Sequence, residues 1–217
     1  MKSAVITFPG SNCDDDCIYT LKKNGFSVDN LWHKDLPDLS SYKLIVLPGG
    51  FSYGDYLRCG AMASVSPIIE KVKAFANNGG LVLGICNGFQ ILCETRLLPG
   101  ALVRNKDQKF ISDDVDLVVS HNDNPWTNQF TINQKISLPI AHGDGRFVFE
   151  EKDKANFITL LKYQNTPNGS QEDIAGICNL QKNVFGLMPH PERASDLKSK
   201  QGLKFWQSIA QFVKDAP

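Results

Sequence analysis

Cys86 stands between Gly84 and Gly88 in the run Leu81-Val82-Leu83-Gly84-Ile85-Cys86-Asn87-Gly88-Phe89-Gln90. As a thiolate, cysteine is a potent nucleophile, and its reactivity depends on where the chain holds it. The apolar residues before it read as a buried strand, and Phe89 to Cys93 read as the start of a helix. Strand, tight turn carrying a nucleophile, helix is the layout of a nucleophile elbow, with cysteine in place of serine. The glycines relieve crowding at the sharp bend. A thiol at a helix start also meets partial positive charge and unpaired backbone N–H groups, which favour thiolate. The bland alternative is a small buried cysteine in a βα unit.

Acyl transfer by a thiol needs a base, and His190 is the best candidate. It lies between Pro189 and Pro191, which restrict its backbone. Glu192, two residues on, is placed to accept a hydrogen bond from the ring nitrogen that faces away from the thiol, as the acidic member of a triad does. The alternative is a proline-stiffened turn whose Glu192 and Arg193 pair at the surface. Cys86 and the His190–Glu192 pair each supply what the other lacks.

Gly49 and Gly50 follow the apolar run Leu44 to Leu47. The N–H of Gly50 and that of Asn87, the residue after the candidate nucleophile, form a candidate oxyanion hole; the alternative is a plain Gly-Gly turn. The run from Gly49 to Gly54 lacks the spacing and the lysine of a phosphate loop, and no dinucleotide fingerprint occurs. His142 lies in the loop Ala141-His142-Gly143-Asp144-Gly145, beside Asp144 and Arg146, either lining a site mouth or capping a turn. His33 and His121 have no constellation and read as structural or peripheral. The spacing of the four histidines supports no zinc site, and Cys13 and Cys17, four apart, read as helix-face residues.

The elements that must position these residues alternate at first. Strands are expected over Ser3 to Phe8, Phe26 to Leu31, Leu44 to Leu47 and Leu81 to Leu83. Helices are expected up to about Asn24, capped by Asn12 or a neighbouring aspartate, and from Ser66-Pro67 to Asn77. Wholly apolar strands indicate a parallel sheet covered on both faces. Beyond Gly100 the pattern changes to strands without long helices: Val115 to Ser120, Ile136 to Ile140, Arg146 to Phe149, Phe157 to Tyr163, and a last pair, Ala175 to Cys178 and Val184 to Met188, around a turn at Gln181 to Asn183. A final helix is expected from about Leu197 to Val213. The fold class is α/β: an open, mostly parallel sheet flanked by helices, with a mixed or antiparallel extension, forming one domain over residues 1–217 because no linker marks a boundary. Ligand sites in such sheets collect at the carboxyl ends of strands, so three of the four chemistry-bearing loops meet on one edge if their strands are parallel.

Composition narrows the function. Lys+Arg and Asp+Glu are both 23, so the formal net charge is zero and phosphate attraction gives no drive toward nucleic acid. No basic leader with a long apolar segment opens the chain, so neither secretion nor a membrane is indicated. Six scattered cysteines in a chain of this length suit a reducing, cytoplasmic compartment.

Taken together, Gly84-Ile85-Cys86-Asn87-Gly88-Phe89-Gln90 and Pro189-His190-Pro191-Glu192-Arg193 resemble the class I (triad) glutamine amidotransferases, a family with a flavodoxin-like sheet. More narrowly, Gly49-Gly50-Phe51-Ser52-Tyr53-Gly54-Asp55-Tyr56-Leu57-Arg58 resembles the glutaminase subunits of phosphoribosylformylglycinamidine synthase. Ile140 to Arg146 and the segment from Asn168 to Gly176 point the same way. The resemblance implies hydrolysis of L-glutamine to glutamate and ammonia. It makes Cys86 the nucleophile, His190 the base, Glu192 its orienting carboxylate and Gly50 and Asn87 the oxyanion donors; Gly50 and Gln90 would lie against the bound glutamine. It implies no cofactor or metal in this chain, ATP and magnesium on a PurL-like synthetase subunit that receives the ammonia to make formylglycinamidine ribonucleotide, and a small PurS-like third subunit. Phe51, Arg58, His142 and Asp144 are candidates for the site mouth or the partner face. Asp144 replaces the family's more usual glutamate, which implies an altered contact at the partner interface. The segment from Val119 to Asn124 also departs from the pattern and receives no role. Two rival classes are another cysteine hydrolase on this fold, acting on γ-glutamyl or peptide substrates, and a non-catalytic subunit that kept the fold. The long match from Gly49 to Arg58 argues against the first, and the intact Cys86, His190 and Glu192 set against the second.

Overall fold

The computed structural model describes residues 1–196 and 201–215. In chain order the elements are β1 (Lys2–Thr7), α1 (Asp14–Lys23), β2 (Ser27–Trp32), β3 (Leu44–Leu47), α2 (Ala61–Ser64), α3 (Pro67–Asn77), β4 (Leu81–Ile85), α4 (Asn87–Glu94), β5 (Ala101–Val103), β6 (Ile111–Val119), β7 (Lys135–His142), β8 (Arg146–Val148), β9 (Phe157–Tyr163), β10 (Ile174–Asn179), β11 (Val184–Leu187) and α5 (Leu203–Asp215). One sheet runs in the order β2-β1-β3-β4-β11-β10-β9-β6-β7, and β5 pairs with β8 in a small separate ladder.

The first five strands of that order are parallel. Every residue of β3 and β4 is buried, as a strand covered on both faces requires. The remaining pairings, β11 with β10, β10 with β9, β9 with β6 and β6 with β7, are antiparallel. The extension expected from the loss of helical pattern is therefore a continuation of the same sheet. Four successive reversals leave β7 pointing the same way as β11 and β4. All four chemistry-bearing loops, after β3, β4, β7 and β11, thus open at one carboxyl edge, where three were expected.

Several boundaries differ from the sequence reading, each for a local reason. The N-cap of α1 is Cys13, and it makes no side-chain cap bond; Asn12 instead accepts the Cys13 thiol at 3.1 Å. Ser66 caps α3 in position only, because its hydroxyl is drawn to His33 Nδ1 at 2.7 Å. Strand β6 starts at Ile111 rather than Val115: Asp113, Asp114 and Asp116 face solvent on the ladder to β7, and their charges hid the alternation. Strand β5 was not expected; its three residues are too few to show a period. Helix α5 begins at Leu203 rather than near Leu197, after a turn in which Gly202 N–H bonds Ala194 O at 3.0 Å; residues 197–200 lie outside the described residues.

Two glycines seat the elbow. A methyl group on Gly84 would come 2.6 Å from Gly88 O, and one on Gly88 would strike Leu47 O. The bare backbone at both positions lets α4 lie directly on β4 and β3. Gly88→Ala is expected to cost about 1–3 kcal/mol by overpacking, read as a lower urea midpoint at unchanged m-value, whereas Gly79→Ala, with open space around it, loses only what its positive φ demands.

Candidate active site

Cys86, between the end of β4 and the start of α4, has φ 51° and ψ −104°, a conformation that side-chain-bearing residues rarely adopt. The strain places the thiol at the tip of the turn and makes Asn87 the first residue of α4. The first N–H groups of a helix lack intrahelical partners, and Asn87 as the first residue of α4 offers a donor of the kind the oxyanion-hole reading requires.

The Cys86 N–H bonds Leu187 O at 2.8 Å, in register with the pairing of Ile85 and Leu187. The chain then continues past Met188 and Pro189 to His190, whose N–H bonds Pro139 O on β7 at 2.8 Å. Adjacent parallel strands thus deliver the thiol and the imidazole to one edge. The Cys86 thiol donates to Ala141 O at 3.7 Å, while His190 Nε2 is buried without a hydrogen-bond partner among the described residues. The thiol hydrogen turns about Cβ–Sγ, so the contact to Ala141 does not commit it.

His190 and Glu192 are both buried, and His190 Nδ1 lies 2.5 Å from Glu192 Oε1. Burial alone pushes the imidazolium toward losing its proton. The Glu192 carboxylate and the Cys86 and Cys13 sulfurs outweigh this and hold the His190 pKa well above the ordinary histidine value. The surface pairing of Glu192 with Arg193 considered above does not form: Glu192 turns inward, and Arg193 Nη2 donates to Cys13 Sγ at 2.9 Å.

Gly49 packs against this pair, since a methyl group on it would lie 2.8 Å from His190 Cε1 and 3.0 Å from Cys13 Sγ. Gly50 has φ +146° and is pressed on the Gly10–Asn12 loop, where a methyl group would come 2.7 Å from Gly10 O. Only glycine fits there, and the position fixes the direction of the peptide that precedes Phe51.

Gln90 is buried, and its amide is used at both ends: Nε2 donates to Asp144 O at 2.8 Å, and Oε1 accepts from Asn87 Nδ2 at 2.8 Å. Its hydrogen bonds are those of a brace between α4 and the loop after β7. Asp144 is likewise engaged within the chain, accepting the Cys59 thiol at 3.0 Å and lying 3.6 Å from Arg104 Nη1. Both contacts hold its carboxylate toward the loop before α2 and toward Arg104. Arg58 is bidentate to Glu94, at 2.6 and 2.5 Å, on the exposed side of α4, and Phe51 is exposed with its ring 6.3 Å from that of Phe110.

His142 is buried and neutral: burial first, then the His190 charge, push its pKa down to about 4. Its Nδ1–H donates to Asn105 Oδ1 at 3.1 Å, and Asn105 also ties Gly145 N–H and His142 O. Asn105 escaped the sequence reading because it sits in an irregular loop with no motif. His33 is a core histidine held by Ser66 and Tyr53, a structural place, and His121 is exposed and bonds Thr159 O, a peripheral one. The unassigned segment from Val119 to Asn124 leads into a turn in which Asn124 Oδ1 accepts the Trp126 and Thr127 N–H groups, packed under the β10–β11 hairpin at the far edge from the site.

Cys13 is the residue that sequence reasoning misplaced. It is not on a helix face like Cys17 but at the mouth of α1, behind His190. The signal was available: it follows β1, whose carboxyl end lies on the same edge. Cys13, His190 and Glu192 offer donor atoms within 4.8 Å of one another, the one such group among the described residues. They fit a metal poorly, because the imidazole and carboxylate are already bonded together and a guanidinium sits on the sulfur.

Among the described residues no helix is long and apolar enough to cross a membrane. Residues 1–213 match the CobB/CobQ-like glutamine amidotransferase domain. The chain is 53% identical to the phosphoribosylformylglycinamidine synthase subunit PurQ of Alkaliphilus metalliredigens, over 99% of this chain and 97% of that protein. It is 49% identical to the subunit of the same name from Trichormus variabilis, over 98% of each. In the structure of PurLQS from Thermotoga maritima, one chain superposes with a TM-score of 0.93 at 47% identity, covering 98% of both. At 18% identity, another glutamine amidotransferase from Thermotoga maritima shares the fold with a TM-score of 0.63, covering 100% of this chain and 86% of that one. A thiol on an elbow, a buried His-Glu pair on the adjoining strand and end-to-end likeness lead to one assignment: the chain belongs to the glutamine amidotransferase family, and within it to the PurQ subunits of phosphoribosylformylglycinamidine synthase.

Proposed function

We propose that the glutaminase reaction of this PurQ-family chain runs through a thioester on Cys86. The observation that carries the proposal is the buried His190–Glu192 pair in the loop that leaves β11, the strand next to the elbow, with a charge-favouring imidazole whose pKa the Cys86 sulfur also raises. The Cys86 thiolate attacks the side-chain amide carbon of glutamine. The N–H groups of Asn87 and Gly50 stabilise the oxyanion. His190, as imidazolium, gives its proton to the departing nitrogen, and ammonia leaves. The neutral imidazole then takes a proton from water, which attacks the thioester and releases glutamate. Glu192 holds the ring by Nδ1 and stabilises the imidazolium. Each step closes its proton balance with these residues alone.

Ammonia released at this edge serves a second active site. In this reading it passes to a PurL-like synthetase subunit that holds ATP and magnesium, joined by a PurS-like third subunit, and the acceptor is formylglycinamide ribonucleotide. The complex named PurLQS supports such partners. The docking face is the strained loop beside the site. Tyr53, Asp55 and Leu57 have φ of 55°, 56° and 69°, and the turn displays Tyr56 and Leu57 with 68% and 74% of their surface exposed. Exposed apolar side chains on a rigid turn, close to Phe51 and Phe110, suit an interface. Six buried free cysteines suit a reducing compartment such as the cytoplasm.

Three outcomes test this reading. Cys86→Ala is expected to lower glutamine-dependent amidation by about 10⁴-fold or more in the reconstituted complex while ammonium-driven synthesis persists; loss of both would break the division of labour. Glu192→Gln is expected to lower glutamine turnover roughly 10²–10⁴-fold. Because the carboxylate raises the His190 pKa, its removal should also move the basic limb of the kcat/KM profile to lower pH. Leu57→Asp should weaken association with the synthetase by roughly 10–100-fold, measured by titration calorimetry, with the fold and the labelling of Cys86 by a glutamine-like electrophile intact.

A further inference from the structure

Arg193 adjoins Glu192 in the chain, and Glu192 Oε2 is buried with no hydrogen-bond partner among the described residues. A guanidinium and a carboxylate so placed ordinarily form a bidentate pair. The pair does not form: among the described residues the ion partner of Glu192 is His190. The guanidinium instead donates from Nη2 to Cys13 Sγ at 2.9 Å. That sulfur is fixed from the other side, since the Cys13 thiol donates to Asn12 Oδ1 at 3.1 Å. It lies within 4.8 Å of a Glu192 carboxylate oxygen and of a His190 ring nitrogen, so the guanidinium bonded to it is held in the neighbourhood of the carboxylate, whose charge it feels.

We propose that Cys13 is a positioning residue of the catalytic machinery: its sulfur holds the Arg193 guanidinium off Glu192, so that the carboxylate serves His190 alone. The inference rests on the reading of His190 as base. Its physics is competition between two cations for one anion. With the guanidinium on Oε2, the carboxylate charge is shared, and the His190 imidazolium loses part of the attraction that offsets its burial. The groups facing His190 are Glu192 and Arg193 from its own loop, Cys86 from the elbow, Cys13 and Asp16 from the start of α1, and His142 from β7. Of these, Arg193 is the one permanent cation, reaching in from an exposed position. The missing side chain of Gly49 makes room for Cys13 and the imidazole together. Valine matches the size of a thiol side chain but accepts no hydrogen bond, while serine keeps both the donor and the acceptor.

The test measures glutamine hydrolysis against pH in the complex reconstituted with the synthetase, for Cys13→Val, Cys13→Ser, Arg193→Met and the double variant C13V/R193M. Cys13→Val should lower kcat about 10-fold with KM nearly unchanged, and move the basic limb of the profile toward lower pH by about one unit. Cys13→Ser should stay within about threefold of the parent, because a hydroxyl can hold the guanidinium as well. Arg193→Met removes the competitor, so adding C13V to it should cost less than about twofold, with the basic limb restored. If C13V costs as much in the R193M background as in the parent, or leaves the basic limb in place, Cys13 merely fills space and the inference is overturned. Should C13V fail to fold, Cys13→Ala takes its place in the same comparison. Glu192→Gln and Cys86→Ala run alongside. If they too keep activity, the reading of the site has failed; if they lose it while C13V does not, only the role of Cys13 has.

Discussion

The backbone hydrogen bond from Cys86 N–H to Leu187 O is the constraint on which the site depends. It closes the parallel ladder between β4 and β11 at the last rung before both strands give way to loops. One strand ends in the thiol, and the other runs on through two prolines to the imidazole. The pairing is long-range, because the whole antiparallel extension is inserted between the two strands. Parallel pairing of this kind is possible only with a long connection, and the extension supplies it while adding β7. That strand returns to the same edge and anchors His190 through Pro139 O. Both ends of the candidate triad are therefore held by backbone, and side-chain freedom is left only where a proton must move.

The buried ionic pair is costly by itself. Withdrawing an imidazolium and a carboxylate from water is repaid only by close geometry, and breaking such a pair is worse than never having built it. Glu192 Oε2 and His190 Nε2 both remain without partners among the described residues, which is uncommon for buried polar atoms. His190 Nε2 is the ring nitrogen that Glu192 leaves unbonded, so in the imidazolium its N–H is uncommitted, as the proposed proton transfer requires. The strained backbone of Cys86 follows the same logic. Its φ of 51° is tolerated because Gly84 and Gly88 let strand and helix close around it.

Much of this was legible in the sequence wherever a residue type is forced by geometry. The glycines flanking Cys86, the prolines flanking His190 and the wholly apolar β3 and β4 marked the strands and the turns, and placed the candidate chemistry in the loops that follow them. Legibility failed where contacts join distant segments through ordinary residues. Cys13 looked like half of an i, i+4 helical pair, yet it faces residues from the far end of the chain. Asn105 organises the His142 loop from an irregular stretch. Charge on the outer face of β6 masked its alternation, and β5 is too short to carry a period. Gln90 could be seen to matter, but not that both ends of its amide would be occupied.

Those occupied ends connect the exposed loop to the site. Ser52 N–H donates to Asn87 Oδ1, Asn87 Nδ2 to Gln90 Oε1, Gln90 Nε2 to Asp144 O, and the Cys59 thiol to Asp144 Oδ2. Ser52 and Cys59 lie on the same loop, so the contacts close a ring through α4 and the turn after β7. A satisfied ring of buried hydrogen bonds is stiff, since each member loses a partner if one moves. The Asn87 carboxamide is clamped from both sides, which ties the first residue of α4 to the loop and to Gln90. The loop that displays Tyr56 and Leu57 thus shares a continuous polar framework with a candidate oxyanion donor. The loop's positive φ values belong to the same arrangement: only a sharply bent chain brings Ser52 to α4 and Cys59 to Asp144 across so short a span.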